Sequence, residues 1–381
     1  MEQAVMVEPD LRLVDQLMSL GAGDVKKCFQ CATCTAVCKL STAENGFPRK
    51  QMLLAQWGLK ERLVEDPGPW LCFYCGECSK DCLRKANPGE TMMALRRYLT
   101  TQYDWTGLSR LMYRSAAWEL GILGLVASVV VLLFTLPRGF GFGLLNQAGP
   151  QALRSVMLDK FAPVETVHLA DTMLALLLGF FLLTNAARMF RRLTRNDGIP
   201  LATYLRRLPT LALQLFTQSR WKGCQADDAI KNWVRHLALA SGYMLMFTLV
   251  VIFLPWFQVQ NDSLHWTSYL GYYATGVLVA GSGWMILDRA RQRGEMYRFS
   301  HLSDWLFPAL LLLTAATGIL VNLLRVENLP MPTYVMYTIH LAVAAPMLVV
   351  EVPFGKWAHL LYRPVAIYVD AVRKDALAAR G

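Results

Sequence analysis

The stretch CFQCATCTAVC at residues 28–38 has the same cysteine spacing as the stretch CFYCGECSKDC at residues 72–82. Both read C-x2-C-x2-C-x3-C, and together they contain all of the cysteines in the chain except Cys224. Two matching runs within the first hundred or so residues, a length of about one small domain, predict a compact N-terminal core built around the cysteines.

This spacing is that of bacterial-type [4Fe–4S] ligation. Three thiolates two residues apart can surround one face of an iron–sulfur cube on a short loop, while the fourth points away and ligates the other cluster of a pair. We therefore expect each cluster to take three cysteines from one run and the last cysteine of the other run. The two expected ligand sets are Cys28, Cys31, Cys34 with Cys82, and Cys72, Cys75, Cys78 with Cys38.

Other uses of closely spaced cysteines fit these runs less well. Disulfides between such near neighbours would be strained, and zinc sites use pairs of C-x2-C rather than runs of four cysteines. The proline that usually follows the fourth cysteine is missing, since Lys39 and Leu83 stand there. Because that proline shapes the loop and ligates nothing, we still expect two clusters, and we expect Cys224 to be a free thiol.

The remainder of the chain has the composition of a membrane protein. Hydrophobic residues make up 54% of the sequence and charged residues only 17%, a balance typical of membrane-embedded chains. A transmembrane helix needs about 20 predominantly apolar residues. Six segments are candidates, at residues 118–136, 164–190, 233–257, 266–287, 302–324 and 332–353.

Basic residues are distributed unevenly between the predicted loops. They are concentrated in loop 191–231, in loop 289–300 and after residue 353. Because loops rich in Lys and Arg stay in the cytoplasm, we expect the cysteine domain and both chain ends to lie on the cytoplasmic side of the inner membrane. This bias also explains the net charge of +10. Nucleic acid is not an expected partner, since no basic groove with interleaved aromatic residues occurs.

The sequence thus predicts an all-α membrane protein, a six-helix transmembrane bundle with an N-terminal, cytoplasmic, α-helical two-cluster ferredoxin-like domain. We divide it into a cytoplasmic two-cluster domain at residues 1–112, a transmembrane cytochrome b domain at 113–360 and a cytoplasmic tail at 361–381. Residues 201–222 predict a helix that lies on the membrane surface or docks a partner protein.

Histidines in the predicted bundle are candidate haem ligands. Ionisable groups within spans are costly and are functional candidates by default, and imidazole is an axial ligand of haem iron. His236 and His359 match in depth near the cytoplasmic side, so we expect them to ligate one haem b. His340 precedes His359 by nineteen residues, roughly 28 Å of helix, which implies a second, outer haem site. His168 lies at a similar depth to His340 and can pair with it.

The sixth predicted span and the segment after it resemble the respiratory nitrate reductase gamma-subunit family. That family is a di-haem b, quinol-oxidising bundle, in which a histidine opens the last helix and a Pro-Phe-x-(Lys/Arg)-x-x-His motif closes it. His340 matches the opening histidine, and PFGKWAH at residues 353–359 matches the closing motif. The spacing is one residue longer here, and we expect Pro346 and Pro353 to absorb the difference.

The same resemblance bears on the outer haem. The family's other haem helix carries a second histidine where this chain, ten residues after His236, has Met246. The second ligand of the outer haem is then either Met246, since Met/His ligation occurs in cytochromes, or His168. A single haem is the alternative to two.

The cysteine runs resemble the small iron–sulfur subunit of heterodisulfide reductases. A chain that fuses such a module to a nitrate-reductase-gamma-like bundle resembles the QmoC family. These proteins are the membrane subunits of the quinone-interacting membrane-bound oxidoreductase complexes of sulfate reducers. The stretch NPGETMMALRRY at residues 87–98 also fits that family. The resemblance implies soluble flavin and iron–sulfur partner proteins of the same complex, adenylylsulfate reductase as a downstream partner, and menaquinone as the substrate.

We therefore expect an electron-transfer subunit that passes electrons between menaquinol and cytoplasmic partners in sulfate respiration, through haem b and two [4Fe–4S] clusters. The direction of transfer is open. One alternative is the membrane arm of a heterodisulfide-reductase-like or sulfite-pathway complex. The other is a membrane anchor without haem. No dinucleotide-binding G-x-G-x-x-G follows a strand pattern.

Overall fold

The computed structural model describes residues 7–43, 45–136, 140–147, 149–223, 229–257 and 265–379. Within these ranges all regular secondary structure is helical and no strand occurs. Six of the helices are long and apolar enough to cross a membrane, so the predicted class of an all-α protein with six candidate spans is confirmed. Cys224, which we expected to be a free thiol, lies outside the described residues.

The six candidate spans start and end close to the predicted limits. A helix rises 1.5 Å per residue, so about 20 residues cross the hydrocarbon core of a bilayer. From the first span to the sixth, in chain order, they are Ala116–Thr135, Val164–Thr194, Ala229–Val251, Trp266–Ala290, Leu302–Val326 and Pro330–Phe354. Short helices at Phe142–Gln147, Leu158–Phe161, Leu254–Phe257 and Glu295–Arg298 lie between spans.

The sixth span is irregular near its end. Its α-helix Pro330–Pro346 continues as a π-helical turn at Met347–Glu351 and a last short helix at Val352–Phe354. A π turn closes i to i+5 hydrogen bonds and therefore holds one residue more than an α turn. This wide turn lies between His340 and His359 and directly follows Pro346.

The N-terminal region, residues 7–114, contains eight α-helices that pack around an apolar core, to which the second span and residues 358–372 also contribute. Leu13, Met52 and Leu95 are fully buried in that core. The longest helix starts at Pro88, where the missing N–H costs nothing because the first helical N–H groups have no intrahelical partner. The eight helices are Leu13–Ser19, Thr33–Ala36, Arg49–Gln56, Lys60–Val64, Gly68–Leu71, Glu77–Lys80, Pro88–Tyr103 and Leu108–Arg114.

Two further helices connect this region to the bundle. The terminal helix, His359–Ala378, contributes Tyr362 to the N-terminal core, where its ring packs edge-on against Trp70 at 5.2 Å and Tyr103 at 5.5 Å between centroids. The segment expected to be a tail thus contains a packed helix. The surface helix, Leu201–Thr217, lies along the terminal helix and pairs two arginines with Asp375.

Candidate electron-transfer site

The cysteines of the two runs are gathered around two separate cavities. The first cavity is lined by Cys28, Cys31, Cys34 and Cys82. The second cavity is lined by Cys72, Cys75, Cys78 and Cys38. Each cavity therefore has three cysteines from one run and the last cysteine of the other, which is the grouping that two-cluster ligation requires. The ligation itself stays a prediction.

The two cysteine loops share an unusual backbone conformation. Gln30 and Tyr74, at equivalent positions, have φ values of 59° and 58°, and Ala32 and Gly76, also equivalent, have φ values of 69° and 86°. Left-handed conformations are costly for residues other than glycine and persist where the surroundings demand them, often around ligands. The repeated pattern turns both loops around their cavities in the same way.

Backbone amides point at sulfur atoms in the same loops. Tyr74 N donates to Cys72 Sγ and Ala86 N donates to Cys82 Sγ, each at 3.3 Å. Hydrogen bonds to cysteine sulfur are among the features that set the reduction potential of an iron–sulfur cluster. The loops therefore supply orientation and tuning as well as ligands.

The donor set suits a cluster better than a single zinc ion. A zinc site brings its ligands to one point about 2 Å away, and within the described part of the chain no three His, Cys, Asp or Glu side chains converge in that way. The four cysteines of a [4Fe–4S] cube bind four different irons and do not need to converge. Burial raises the pKa of Cys34 and of Cys38 to about 11, so these thiols hold protons that iron must displace.

His236 and His359 meet at one end of the bundle. Their ring centroids are 6.4 Å apart with an angle of 70° between the rings. A metal between two opposed imidazoles separates the centroids by about 6 Å, because each metal–nitrogen bond is ~2 Å. Burial lowers the pKa of His359 to about 3, which keeps this imidazole neutral, as a metal ligand must be.

Both rings have the hydrogen bonds that ligating histidines use. His359 Nδ1 donates to Lys356 O at 2.7 Å, and His236 Nδ1 donates to Gln218 Oε1 at 2.5 Å. An acceptor at Nδ1 fixes the tautomer and orientation and leaves the Nε2 lone pair for a metal. Gln218 is a residue that sequence reasoning missed, since nothing in the pattern of loop 191–231 points to it.

His340 is oriented similarly, deeper in the bundle. Its Nδ1 lies 3.0 Å from Thr317 Oγ1, whose own proton goes to Leu313 O at 2.7 Å, so the imidazole is the donor. A Cβ at Gly318 would come within 3.2 Å of the ring. The glycine therefore lets the fifth span approach the imidazole closely, and Nε2 of His340 stays available.

The two candidate partners of His340 differ. His168 has Nε2 at 2.9 Å from the carbonyl oxygen of Val251, so that nitrogen is already engaged and only Nδ1 is available. Met246 is half-buried in the third span. The outer haem and its second ligand stay predictions.

A buried series of polar contacts connects the second cysteine loop to His359. Its members are Tyr74, Glu90, Arg97, Asp304, Lys356 and His359. Arg97 contacts Glu90 at 3.0 Å and Asp304 at 2.7 Å, and all three side chains are at most 5% exposed. Buried charges must be paired to be tolerated, so these contacts fix how the N-terminal region sits on the bundle. The sequence signal for these contacts was Asp304, an acidic residue in the first turn of the apolar fifth span.

Two buried carboxyl groups meet where the first and sixth spans are closest to the N-terminal region. Glu119 and Glu351 are both buried and close enough to interact electrostatically, and neither side-chain oxygen of Glu351 has a hydrogen-bond partner among the described residues. Burial of carboxyl groups without a hydrogen-bond partner is costly, so the pair is a candidate functional feature of the bundle. An acidic residue inside an apolar span was the available sequence signal.

The N-terminal region is similar to known iron–sulfur proteins. Residues 24–86 match the family described as 4Fe-4S dicluster domain. The chain is 33% identical over 97 residues to a protein of Archaeoglobus profundus named as similar to the C subunit of heterodisulfide reductase, covering 25% of this chain and 52% of that protein. It is 32% identical over 76 residues to the C subunit of the H(2):CoB-CoM heterodisulfide,ferredoxin reductase of Methanothermobacter thermautotrophicus, covering 20% and 41%. No solved structure matches the chain.

The chain thus spans about half the length of the curated relatives it matches. Residues 24–86 include both cysteine runs and none of the six candidate spans. The chain therefore combines a region similar to 4Fe-4S dicluster domains and to the C subunit of heterodisulfide reductases with helices suited to crossing a membrane.

Proposed function

We propose that the chain carries electrons between menaquinol in the membrane and soluble partner proteins, through a haem b held by His236 and His359 and through two [4Fe–4S] clusters. The neighbouring imidazoles of His236 and His359 support this most directly, because their centroids are 6.4 Å apart and each ring has its Nδ1 engaged and its Nε2 available. The haem and each cluster supply one-electron chemistry when bound, so the two clusters match the two electrons that a quinol releases with its two protons.

The roles of the chain's own residues follow from their positions. Cys28, Cys31, Cys34 and Cys82 would hold one cluster, and Cys72, Cys75, Cys78 and Cys38 the other. Lys356 O and the Gln218 amide keep the two imidazoles oriented, and burial keeps water from them. His340, with Met246 or His168, would hold an outer haem, and the quinone would bind beside it.

The charge distribution supports a cytoplasmic position for the N-terminal region and both chain ends. Soluble flavin and iron–sulfur subunits would then dock on the same side as the clusters. Adenylylsulfate reductase, as the acceptor beyond them, would make the pathway part of sulfate respiration.

A visible spectrum of the anaerobically purified chain tests the proposal. We expect b-type absorbance in the reduced-minus-oxidised spectrum of the wild type and its loss in His359→Ala, with cluster absorbance retained in both. His265→Ala is the matched control, because His265 lies at the start of the fourth span and hydrogen-bonds Thr267 there. Absence of b-type absorbance from the wild type would refute the haem route and favour a membrane anchor without haem.

The relatives favour a second candidate, in which the same redox arm belongs to a heterodisulfide-reductase-like complex. One relative is named as the C subunit of such an enzyme and the other as similar to one. Purification of the native complex from membranes and identification of its subunits by mass spectrometry distinguishes the two candidates. Flavin subunits together with adenylylsulfate reductase would support the first candidate, and the catalytic component of a heterodisulfide reductase would support the second.

A further inference from the structure

A single-turn 3-10 helix, Ser219–Gly223, touches both candidate redox sites. We call it the bridging turn. Gly223 lines the second cysteine cavity. Two residues earlier, the Trp221 ring stacks on His236, with 5.4 Å between centroids and 27° between the rings. The turn therefore spans the gap between the cavity and the imidazole pair.

Arg363 completes the contact from the other side. It lies one helical turn after His359, and its guanidinium carbon is 4.8 Å from the Trp221 ring centroid and 5.9 Å from the Phe73 ring centroid. Phe73 directly follows Cys72 in the second cysteine loop. An aromatic ring, a planar cation, a second aromatic ring and an imidazole thus follow one another, with 5.9, 4.8 and 5.4 Å between successive group centres.

The bridging turn is held in place by a strained residue. Gln218, immediately before it, has a φ value of 50°, a left-handed conformation that is costly for a residue with a side chain. Its side chain is the one that accepts the hydrogen bond from His236 Nδ1. A strained residue that also orients a proposed ligand indicates a position fixed for function.

We propose that Trp221 and Arg363 form the electron-transfer contact between the haem site of His236 and His359 and the cluster site of the second cavity. The inference rests on the proposed function and deepens it. Electron tunnelling weakens steeply with distance and with unfilled space, so closely packed planar groups favour it. One electron passes at a time, and no bond of either side chain forms or breaks.

The first cavity would then be the outer end of the relay. Its lining comes only from residues 28–88, whereas the second cavity also borders the bridging turn, and Gly76 beside it faces Glu295 between the fourth and fifth spans. Phe29 and Leu83, next to the first cavity, are 68% and 83% exposed. The order along the chain's redox sites is haem, second cavity, first cavity, soluble partner.

Arginines lie beside both cavities. Arg220 in the bridging turn also lies over the Phe73 ring, with its guanidinium carbon 5.9 Å from the ring centroid, so two arginines face the loop of Cys72. A cluster on four thiolates is negatively charged, and nearby cations stabilise its reduced form. Arg49 and Arg84 line the first cavity, so cations are available to both sites.

Rapid mixing of dithionite with the chain in proteoliposomes tests the contact. Dithionite does not cross the bilayer and delivers electrons at the exposed cluster side, and absorbance then reports the reduction of haem b. The variants are Trp221→Leu, Trp221→Phe and Arg363→Gln. The matched control is Trp284→Leu, because Trp284 also stacks with a guanidinium, that of Arg235 at 3.3 Å, but lines neither cysteine cavity.

We expect Trp221→Leu to slow haem reduction by at least about tenfold, with haem content and midpoint potential unchanged, and Trp221→Phe and Trp284→Leu to keep the wild-type rate. If Trp221→Leu loses haem, the test falls to Arg363→Gln, which should also slow haem reduction by at least about tenfold with unchanged haem content and midpoint potential. If Trp221→Leu or Arg363→Gln retains haem and haem reduction keeps the wild-type rate, this inference is overturned but the proposed function is not. Absence of b-type absorbance from the wild type would overturn the proposed function and this inference with it.

Discussion

Replacement of Arg97 by methionine tests how the N-terminal region is held on the bundle. Arg97 bonds Glu90 at 3.0 Å, Asp304 of the fifth span at 2.7 Å and Leu20 O at 2.6 Å. Methionine fills a similar volume but supplies no charge and no donor. Arg97→Met therefore removes positive charge from beside two buried carboxylates. Glu90 belongs to the N-terminal region and Asp304 to the bundle, so the change acts on both sides of the interface between them.

The structure sets the expected size of the effect. Removal of one partner from a buried ion pair costs about 3–5 kcal/mol. Asp304 keeps Lys356 at 2.5 Å and Arg289 at 3.9 Å, so we expect a loss near the lower end, about 3 kcal/mol. In thermal unfolding of the protein in nanodiscs, followed by tryptophan fluorescence, this corresponds to a decrease in Tm of about 5 °C or more.

Arg192→Met is the matched control. Arg192 pairs with Glu61 at 3.3 Å and also links the N-terminal region to a span, but the two side chains are 42% and 66% exposed. Exposed pairs contribute only about 0–1 kcal/mol, so its Tm should stay close to that of the wild type. Adding Glu90→Gln to Arg97→Met removes an uncompensated carboxylate and should recover part of the loss. Equal Tm values for Arg97→Met and Arg192→Met would refute the reasoning.

Three further predictions concern the cysteine loops and the buried acids. Ala32→Gly should stabilise the protein by about 0.5 kcal/mol because its φ is positive, whereas Gly76→Ala should destabilise it because a Cβ there collides with the facing loop; thermal unfolding measures both. Burial raises the pKa of Cys34 and Cys38 to about 11, so iron binding releases protons, and chelator should bleach the clusters faster as the pH falls from about 8 to about 6; an unchanged bleaching rate would contradict this. Glu351→Gln should lower the unfolding free energy by no more than about 1 kcal/mol, because neither buried side-chain oxygen of Glu351 has a hydrogen-bond partner to lose among the described residues, and a large fall in Tm would show that the carboxyl group is required.

Local sequence signals predicted much of this molecule. Apolar length located the six candidate spans within a few residues, and cysteine spacing indicated the two groups of four that line the cavities. The proximity of His236 and His359 followed from matching depth, since two helices that enter a bundle from one side bring equivalent positions together. In each case the sequence signal is local, even where the residues that come together are distant along the chain.

Features that depend on distant residues were not predictable in this way. Arg97 and Asp304 are 207 positions apart, and neither one's sequence surroundings specify the other. The terminal helix looked like a tail because its apolar residues, such as Tyr362, match a core that belongs to another part of the chain. The bridging turn has no periodic pattern, so its contacts with the loop of Cys72 and with His236 appear only once the helices are packed.

The most direct test of the central claim is the oxidation of reduced clusters by menaquinone confined to the bilayer. The chain is reduced in proteoliposomes, the reductant is removed, menaquinone is added in the lipid phase, and the EPR signals of the reduced clusters are followed in the wild type and in His359→Ala. Our account predicts rapid loss of both cluster signals in the wild type and their persistence in His359→Ala, because the route through the bundle is broken. Equal oxidation in both proteins would contradict it.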